Sequence, residues 1–225
     1  MVTGIILAAG RSSRMGGGTN KQFLELLGQP ILRYSLAAFQ QCAVVDAIVV
    51  VRRPEYAAQA EQIARGFSKV VAFTDGGIER QNSVWNGLEK CPAKTEIVAV
   101  HDGARPLVTP ALIEATVESA RVHGTGIAAT KVVDTIKEAD ENRVILRTVD
   151  RTKLWAVQTP QTARFDLLRR AYSKILEQGI IVTDEAAAVE RLGEPVRLVD
   201  TPFLNLKITT PSDLAMAEAL LRQRT

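Results

Sequence analysis

Cysteine, histidine and aromatic side chains are all scarce in this chain, and each scarcity removes a class of function. The two cysteines, Cys42 and Cys91, lie far apart and outside any metal-ligand spacing, which excludes a disulfide framework and a zinc cluster. Aromatics make up 5% of the chain, and basic residues exceed acidic ones by only 28 − 25 = 3, dispersed along its length. A nucleic-acid surface concentrates its positive charge on one face, so no nucleic-acid partner is expected. No apolar run approaches the roughly 20 residues a membrane-spanning helix needs, so no membrane partner is expected either. The chain enters an apolar run directly after Met1 without a leader. The expectation is a reduced, cytoplasmic protein with two incidental thiols. What is present is ordinary globular composition, 46% hydrophobic and 24% charged over 225 residues. That suffices for one large α/β domain spanning residues 1–225.

The rest of the chain is organised around IILAAGRSSRMGGGTNK, Ile5 to Lys21. The apolar run Thr3 to Ala8 predicts a strand in the middle of a sheet, and the loop after it leaves the strand's carboxyl end, where open α/β sheets bind ligands. Gly10 and Gly16 to Gly18 let backbone N–H groups approach an anion, while Arg14 and Lys21 supply full positive charges. Read from the residues alone, such a loop is either an anion cradle or a solvated turn. The P-loop string is absent, and Gly10, Ser12 and Met15 do not fit the dinucleotide fingerprint. Leu7, Ala9, Gly10, Arg14 and Lys21 resemble the L-x-A-G-x-G-x-R…K opening of nucleotidyltransferases, with Ser12 in place of the second glycine.

Strands and helices then alternate. Pro30 suits the first turn of a helix to about Gln41, Ala47 to Val51 predicts a strand, Glu55 to Arg65 a helix, and Val70 to Phe73 a third strand. This order implies parallel pairing with right-handed crossovers. TDGGIERQNSVWNGL follows, Thr74 to Leu88. Gly76-Gly77 ahead of a helix, with Ser83 in its first turn, makes either a plain turn with a helix cap or a second phosphate cradle. Next, Glu96 to His101 predicts a strand running into HDGARP. Asp102 just past it is placed to act on a ligand or its metal, and Arg105 adds a forked cation, although both also suit a structural ion pair. His101 suits a satisfied core position.

Farther on, Thr109-Pro110 caps a helix to about His123, and Ile127 to Val132 predicts a strand. The alternation then breaks. Ile136 before Asp140-Glu141-Asn142, with Val144 and Leu146 after it, signals a β-hairpin between Val133 and Thr148. A lone hairpin is marginal in water, so its apolar side chains need a partner, most simply a second copy of the chain. LWAVQTPQ, Leu154 to Gln161, returns the chain through a Thr-Pro turn to a helix from about Phe165 to Glu177. Thr183 with Asp184 and Glu185 then reads as an N-cap with two acids in the first turn. Finally, Leu204, Leu206 and Ile208 alternate with Lys207 as in a strand, and Thr210-Pro211 opens the last helix.

HDGARP, GG-x-ER-x-x-S and LWAVQTPQ together resemble the 2-C-methyl-D-erythritol 4-phosphate cytidylyltransferase family over nearly the whole chain. That resemblance implies a Rossmann-like, mostly parallel twisted sheet flanked by helices, of the nucleotide-diphospho-sugar transferase type, with a protruding hairpin arm over residues 133–153 that embraces the other subunit of a homodimer. It implies that Ala8, Ala9, Gly10, Arg14, Lys21, Gly76, Gly77, Ser83 and Asp102 bind CTP. It further implies that Asp102, Arg105, Thr159, Thr183 and Lys207 contact a sugar-alcohol phosphate, with Thr135 and Arg151 reaching into the neighbour's site. The chemistry is attack of a phosphate oxygen on the α-phosphorus of CTP, with pyrophosphate leaving. It needs positioning and charge stabilisation rather than a covalent intermediate. Arg14, Lys21, Arg151 and Lys207 are the expected catalytic cations. Magnesium is expected to bind mainly through the triphosphate, since no clustered carboxylates suggest a protein-made cage. Two other functions remain in view at this point: transfer to another acceptor, such as ribitol 5-phosphate or molybdopterin, and nucleotide binding without catalysis. HDGARP with LWAVQTPQ favours the methylerythritol phosphate acceptor, and the presence of both triphosphate and acceptor cations counts against a pure binder.

Overall fold

A computed structural model describes residues 1–10 and 20–223. Seven strands make the main sheet. Its first strand, β1 (Val2–Leu7), is buried along its whole length, as expected of a strand covered on both faces. Past residue 19 come a 3-10 turn at Lys21–Phe23 and a small hairpin of β2 (Glu25–Leu26) and β3 (Gln29–Pro30). The hairpin turns through Leu27 and Gly28, both at positive φ. Helix α1 (Ile31–Gln41) follows. Pro30 is its N-cap and pairs with Glu25 across the hairpin, so it sits just outside the first turn where the sequence suggested it would lie.

The chain continues through β4 (Ala47–Arg52), α2 (Ala57–Ala64), β5 (Val70–Asp75), α3 (Arg80–Leu88) and β6 (Ile97–Asp102). Beyond these come α4 (Pro110–His123), β7 (Thr125–Lys131), and the arm strands β8 (Ile136–Ala139) and β9 (Ile145–Val149). The last elements are β10 (Trp155–Arg164), α5 (Phe165–Glu177), α6 (Glu185–Glu190), β11 (Leu198–Asp200) and α7 (Pro211–Arg222).

The sheet order is β11-β7-β10-β6-β1-β4-β5, with β10 antiparallel to both neighbours and every other pairing parallel. Strand parity sorts the core. Ile6, Ile48 and Val50 face α1, α2 and α4 through Leu36, Phe39, Ile63, Ile113 and Val117. Their neighbours Ile5, Leu7, Val49 and Val51 face α3, α5 and α6 through Val84, Leu88, Leu168, Tyr172 and Val189. The fold is thus the helix–sheet–helix sandwich the alternation implied.

Three local expectations are corrected. LWAVQTPQ is a strand rather than a turn: β10 carries Pro160 through, and its pairing with β7 shifts register between Val157 and Gln161, so the proline's missing N–H falls where the ladder is interrupted. The stretch around Lys207 is irregular, without a strand. Helix α6 is capped by Asp184, whose side chain accepts from the Ala187 N–H, while Thr183 precedes the cap and is exposed. The caps at Thr109 and Thr210, each followed by proline, stand as expected.

Candidate active site

Strand order reverses beside β1. The chain moves from β1 outward to β4 and β5, then crosses back to β6, and in that crevice Leu7 pairs with Asp102. A cavity of about 630 Å3 opens there, lined by Ala9, Gly10, Lys21, Gly76, Gly77, Ser83, Arg80, Asp102 and Lys207, among others. Distant sequence motifs therefore meet at one sheet edge.

Each wall is held by identifiable bonds. Asn20 donates from Nδ2 to the Ala8 carbonyl at 3.1 Å, returning the chain to the end of β1 just before Lys21. Arg14 lies outside the described residues. Gly76 and Gly77 are required by close approach: a Cβ on Gly76 would stand 2.3 Å from the Ala9 Cβ, and one on Gly77 would stand 2.3 Å from the Asn82 Cβ. The Ser83 hydroxyl accepts from the Gly77 N–H at 3.1 Å and donates to the Glu79 carbonyl at 3.3 Å, so it shapes the glycine turn from inside. The helix cap itself is Glu79, paired reciprocally with Asn82.

Asp102 ends β6 and forms the floor. Its Oδ2 lies 2.5 Å from the Lys207 ammonium and its Oδ1 lies 3.4 Å from Arg80 Nη2. Burial opposes ionisation of this carboxyl, yet Arg80, Lys207 and Arg105 together overcome that cost and hold it well below the usual carboxylate range. Lys207 reaches Asp102 because its irregular segment is tied down on both sides. Ile208 N–H donates to the Ala104 carbonyl at 2.8 Å, and Asn205 Nδ2 donates to the Thr159 carbonyl at 2.7 Å. Arg105 serves the same segment, donating from Nη1 to the Asn205 carbonyl at 2.7 Å.

His101 is fully buried, as expected of a core residue. The Arg105 carbonyl can only accept, so Nε2 carries the proton across the 3.3 Å contact, and Nδ1 is left to accept from the Thr159 hydroxyl at 3.0 Å. Burial lowers the imidazole to about 3, so it stays neutral. Thr159 is also buried and accepts from the Asp102 N–H at 3.1 Å, which makes it a support beneath the aspartate. Thr135, Arg151 and Thr183 are exposed and do not line this cavity. Arg151 bonds the Val133 carbonyl at the base of the arm.

Two residues of this network were not singled out from the sequence, Arg80 and Glu185. Arg80 opens α3, and Glu185, the first residue of α6, meets its guanidinium with both carboxylate oxygens. The available signal was charge complementarity between ER in the glycine motif and DE in TDEA, which becomes meaningful only once the two helix starts are known to face each other. Among the described residues no three His, Cys, Asp or Glu side chains cluster as a metal cage.

Gly10 and the close-packed Gly76-Gly77 turn, set with the Lys21 and Lys207 ammonium groups and the Arg80 guanidinium around one cavity at a switch point, suit a nucleotide whose phosphates are held while a second anion approaches. The fold and site define a nucleotidyltransferase of the nucleotide-diphospho-sugar transferase type. The family model described as "IspD: 2-C-methyl-D-erythritol 4-phosphate cytidylyltransferase" matches residues 2–223. The enzyme of that name from Geobacillus kaustophilus is 45% identical over 98% of this chain and 96% of its own. The one from Caldanaerobacter subterraneus is 44% identical over 99% of each. Among solved structures, the 4-diphosphocytidyl-2C-methyl-D-erythritol synthase of Anaerococcus prevotii superposes with a TM-score of 0.87 at 29% identity, covering 98% of both chains. This chain belongs to the 2-C-methyl-D-erythritol 4-phosphate cytidylyltransferase family.

Proposed function

We infer that this enzyme transfers the cytidylyl group of CTP to 2-C-methyl-D-erythritol 4-phosphate, giving 4-diphosphocytidyl-2-C-methyl-D-erythritol and pyrophosphate in the non-mevalonate isoprenoid pathway. The observation that carries this beyond family membership is the single cavity in which both glycine motifs and Lys21 face the Asp102–Lys207 pair. The acceptor phosphate is already ionised and needs no general base. His101 supplies none, being buried, neutral and bonded at both ring nitrogens. The barrier is charge repulsion between two anions plus the charge gathering at the α-phosphorus, which preorganised cations lower.

In this mechanism the turns at Ala9-Gly10 and Gly76-Gly77 receive the nucleotide, and Lys21, with Arg14 of the same motif, neutralises the triphosphate. Lys207, oriented by Asp102, holds the attacking phosphate in line. Arg151 and Thr135 act from the partner's arm, and Arg105 and Thr159 support the acceptor side by holding the Lys207 segment and Asp102. A homodimer is supported by the apolar strip on the hairpin, where Val144, Ile145 and Leu146 are each exposed. Magnesium is read as arriving with the triphosphate. Asp102 is the carboxylate on the cavity floor and already carries two cations, so it fits one metal contact at most. Bound there, magnesium would neutralise charge on the leaving pyrophosphate. Both cysteines are free thiols, which agrees with a reducing cytoplasm. Among the described residues, no helix is long and apolar enough to cross a membrane.

Pyrophosphate release tests the reaction directly, with CTP, ATP, GTP or UTP and with methylerythritol 4-phosphate, ribitol 5-phosphate or no acceptor. Magnesium-dependent release with CTP and methylerythritol 4-phosphate alone is expected. Release with ribitol 5-phosphate instead, or CTP binding without release under any condition, would overturn it.

A further inference from the structure

The acceptor-side lysine stands at the end of a relay of paired charges that begins one residue behind the cavity wall, at the start of α6. Glu185 is 1% exposed and cannot be solvated by water. Its Oε1 accepts from Arg80 Nη1 at 2.6 Å and its Oε2 from Arg80 Nη2 at 3.1 Å, a two-pronged pairing that fixes the plane of the guanidinium. The Tyr172 hydroxyl, buried in α5, donates to the same Oε1 at 3.0 Å. Beneath, Gln161 of β10 accepts from the Ala186 N–H and donates to Asp184, pinning the helix start to the sheet. Arg80 Nη2 then turns its remaining capacity to Asp102 Oδ1, while the other oxygen, Oδ2, is left to Lys207.

We propose that Glu185 is a positioning residue for cytidylyl transfer: it draws the Arg80 guanidinium away from Asp102 so that Asp102 keeps Oδ2 for orienting Lys207. The proposal rests on the assignment of Lys207 to the acceptor phosphate. The competition is set by geometry. Guanidinium forks favour two-pronged contact with a carboxylate, and Asp102 is the other carboxylate Arg80 reaches. With the Glu185 charge removed, Arg80 closes on both oxygens of Asp102. Lys207 then loses its anchor and swings from its place above the floor. Arg80 lies beside the Gly76-Gly77 turn, but that turn is held by Ser83 and the Arg52 carbonyl rather than by the Glu185 pairing, so turnover suffers more than CTP binding does.

Four forms of the enzyme test this: Glu185→Gln, Glu185→Asp, Arg80→Gln and the double variant R80Q/E185Q, each followed by kcat, KM for CTP and melting temperature. Glu185→Gln is expected to lower kcat at least tenfold, with KM for CTP changed less than twofold and a lowered melting temperature, since the ion pair that the buried Glu185 makes with Arg80 is broken. Glu185→Asp keeps the charge but withdraws the fork by one methylene; it is expected to melt close to the unaltered enzyme and still lose at least threefold in kcat. The double variant removes both charges and, with no guanidinium left to close on Asp102, is expected to regain melting temperature and most of kcat. A double variant as slow as Glu185→Gln would show that Arg80 does not compete for Asp102, full kcat in Glu185→Asp would show that Glu185 only neutralises Arg80, and either would overturn the proposal. Failure of the unaltered enzyme to release pyrophosphate would overturn the reaction itself, a separate result.

Discussion

At the scale of single residues, the site separates charges that work in the cavity from charges that hold it together. Lys21, Arg80, Asp102 and Lys207 line the cavity, whereas Arg105 and Thr159 spend their polar atoms on the segment that carries Lys207 and on the backbone beneath Asp102. His101 has a consequence for stability. Its folded-state value is lowered from 6.5 to about 3, so the unfolded chain binds the proton more readily. The stability it contributes is therefore complete above about pH 6.5 and is lost as pH falls toward 3. Urea titrations between pH 6 and pH 4 should show His101→Asn with a shallower loss of stability on acidification than the unaltered enzyme. The difference should reach at most about 1.4 kcal/mol per pH unit, the value for one proton. Parallel slopes would show that His101 keeps its charge in the folded protein.

At the scale of elements, helix boundaries were the most legible feature. Thr109-Pro110 and Thr210-Pro211 pair a side-chain acceptor with a residue that lacks an N–H, so the local sequence suffices. The glycine turn between β5 and α3 was legible as a loop, but its reason for needing glycine was not. Gly76 is required because Ala9, from just past the end of β1, and the Ser83 hydroxyl, seven residues on, press against it. Gly76→Ala should cost about 1–3 kcal/mol of stability, as overpacking does. It should also raise KM for CTP at least tenfold by pushing the turn away from the end of β1. An unchanged KM would remove this turn from the nucleotide site. The strand β10 was misread because Pro160 signals a break, and only the register shift opposite β7 shows how a strand accommodates it.

At the scale of the whole molecule, the arm is the element without a role inside its own chain. Ile136, Lys137, Glu138 and Ala139 pair with residues of β9 and with no strand of the main sheet, and Val133, Val144, Ile145 and Leu146 are left exposed. If the arm builds the proposed homodimer, removing residues 136–147 should give a monomer in gel filtration and abolish turnover, because Thr135 and Arg151 would no longer be carried to the neighbouring site. An unchanged elution volume per chain would sink the proposed arm. Residue types a few positions apart already specify the alternation of elements, the Thr-Pro caps, the two glycine motifs and the cations. The tertiary structure decided what meets what. Lys207 binds Asp102 because an irregular segment is tied to Ala104 and Thr159, and Arg80 is shared between Asp102 and Glu185 because α3, α6 and β6 end at one sheet edge. Coulombic and steric contacts between residues about a hundred positions apart leave no local signature, since spacing along the chain carries no information on which charges the fold will desolvate together.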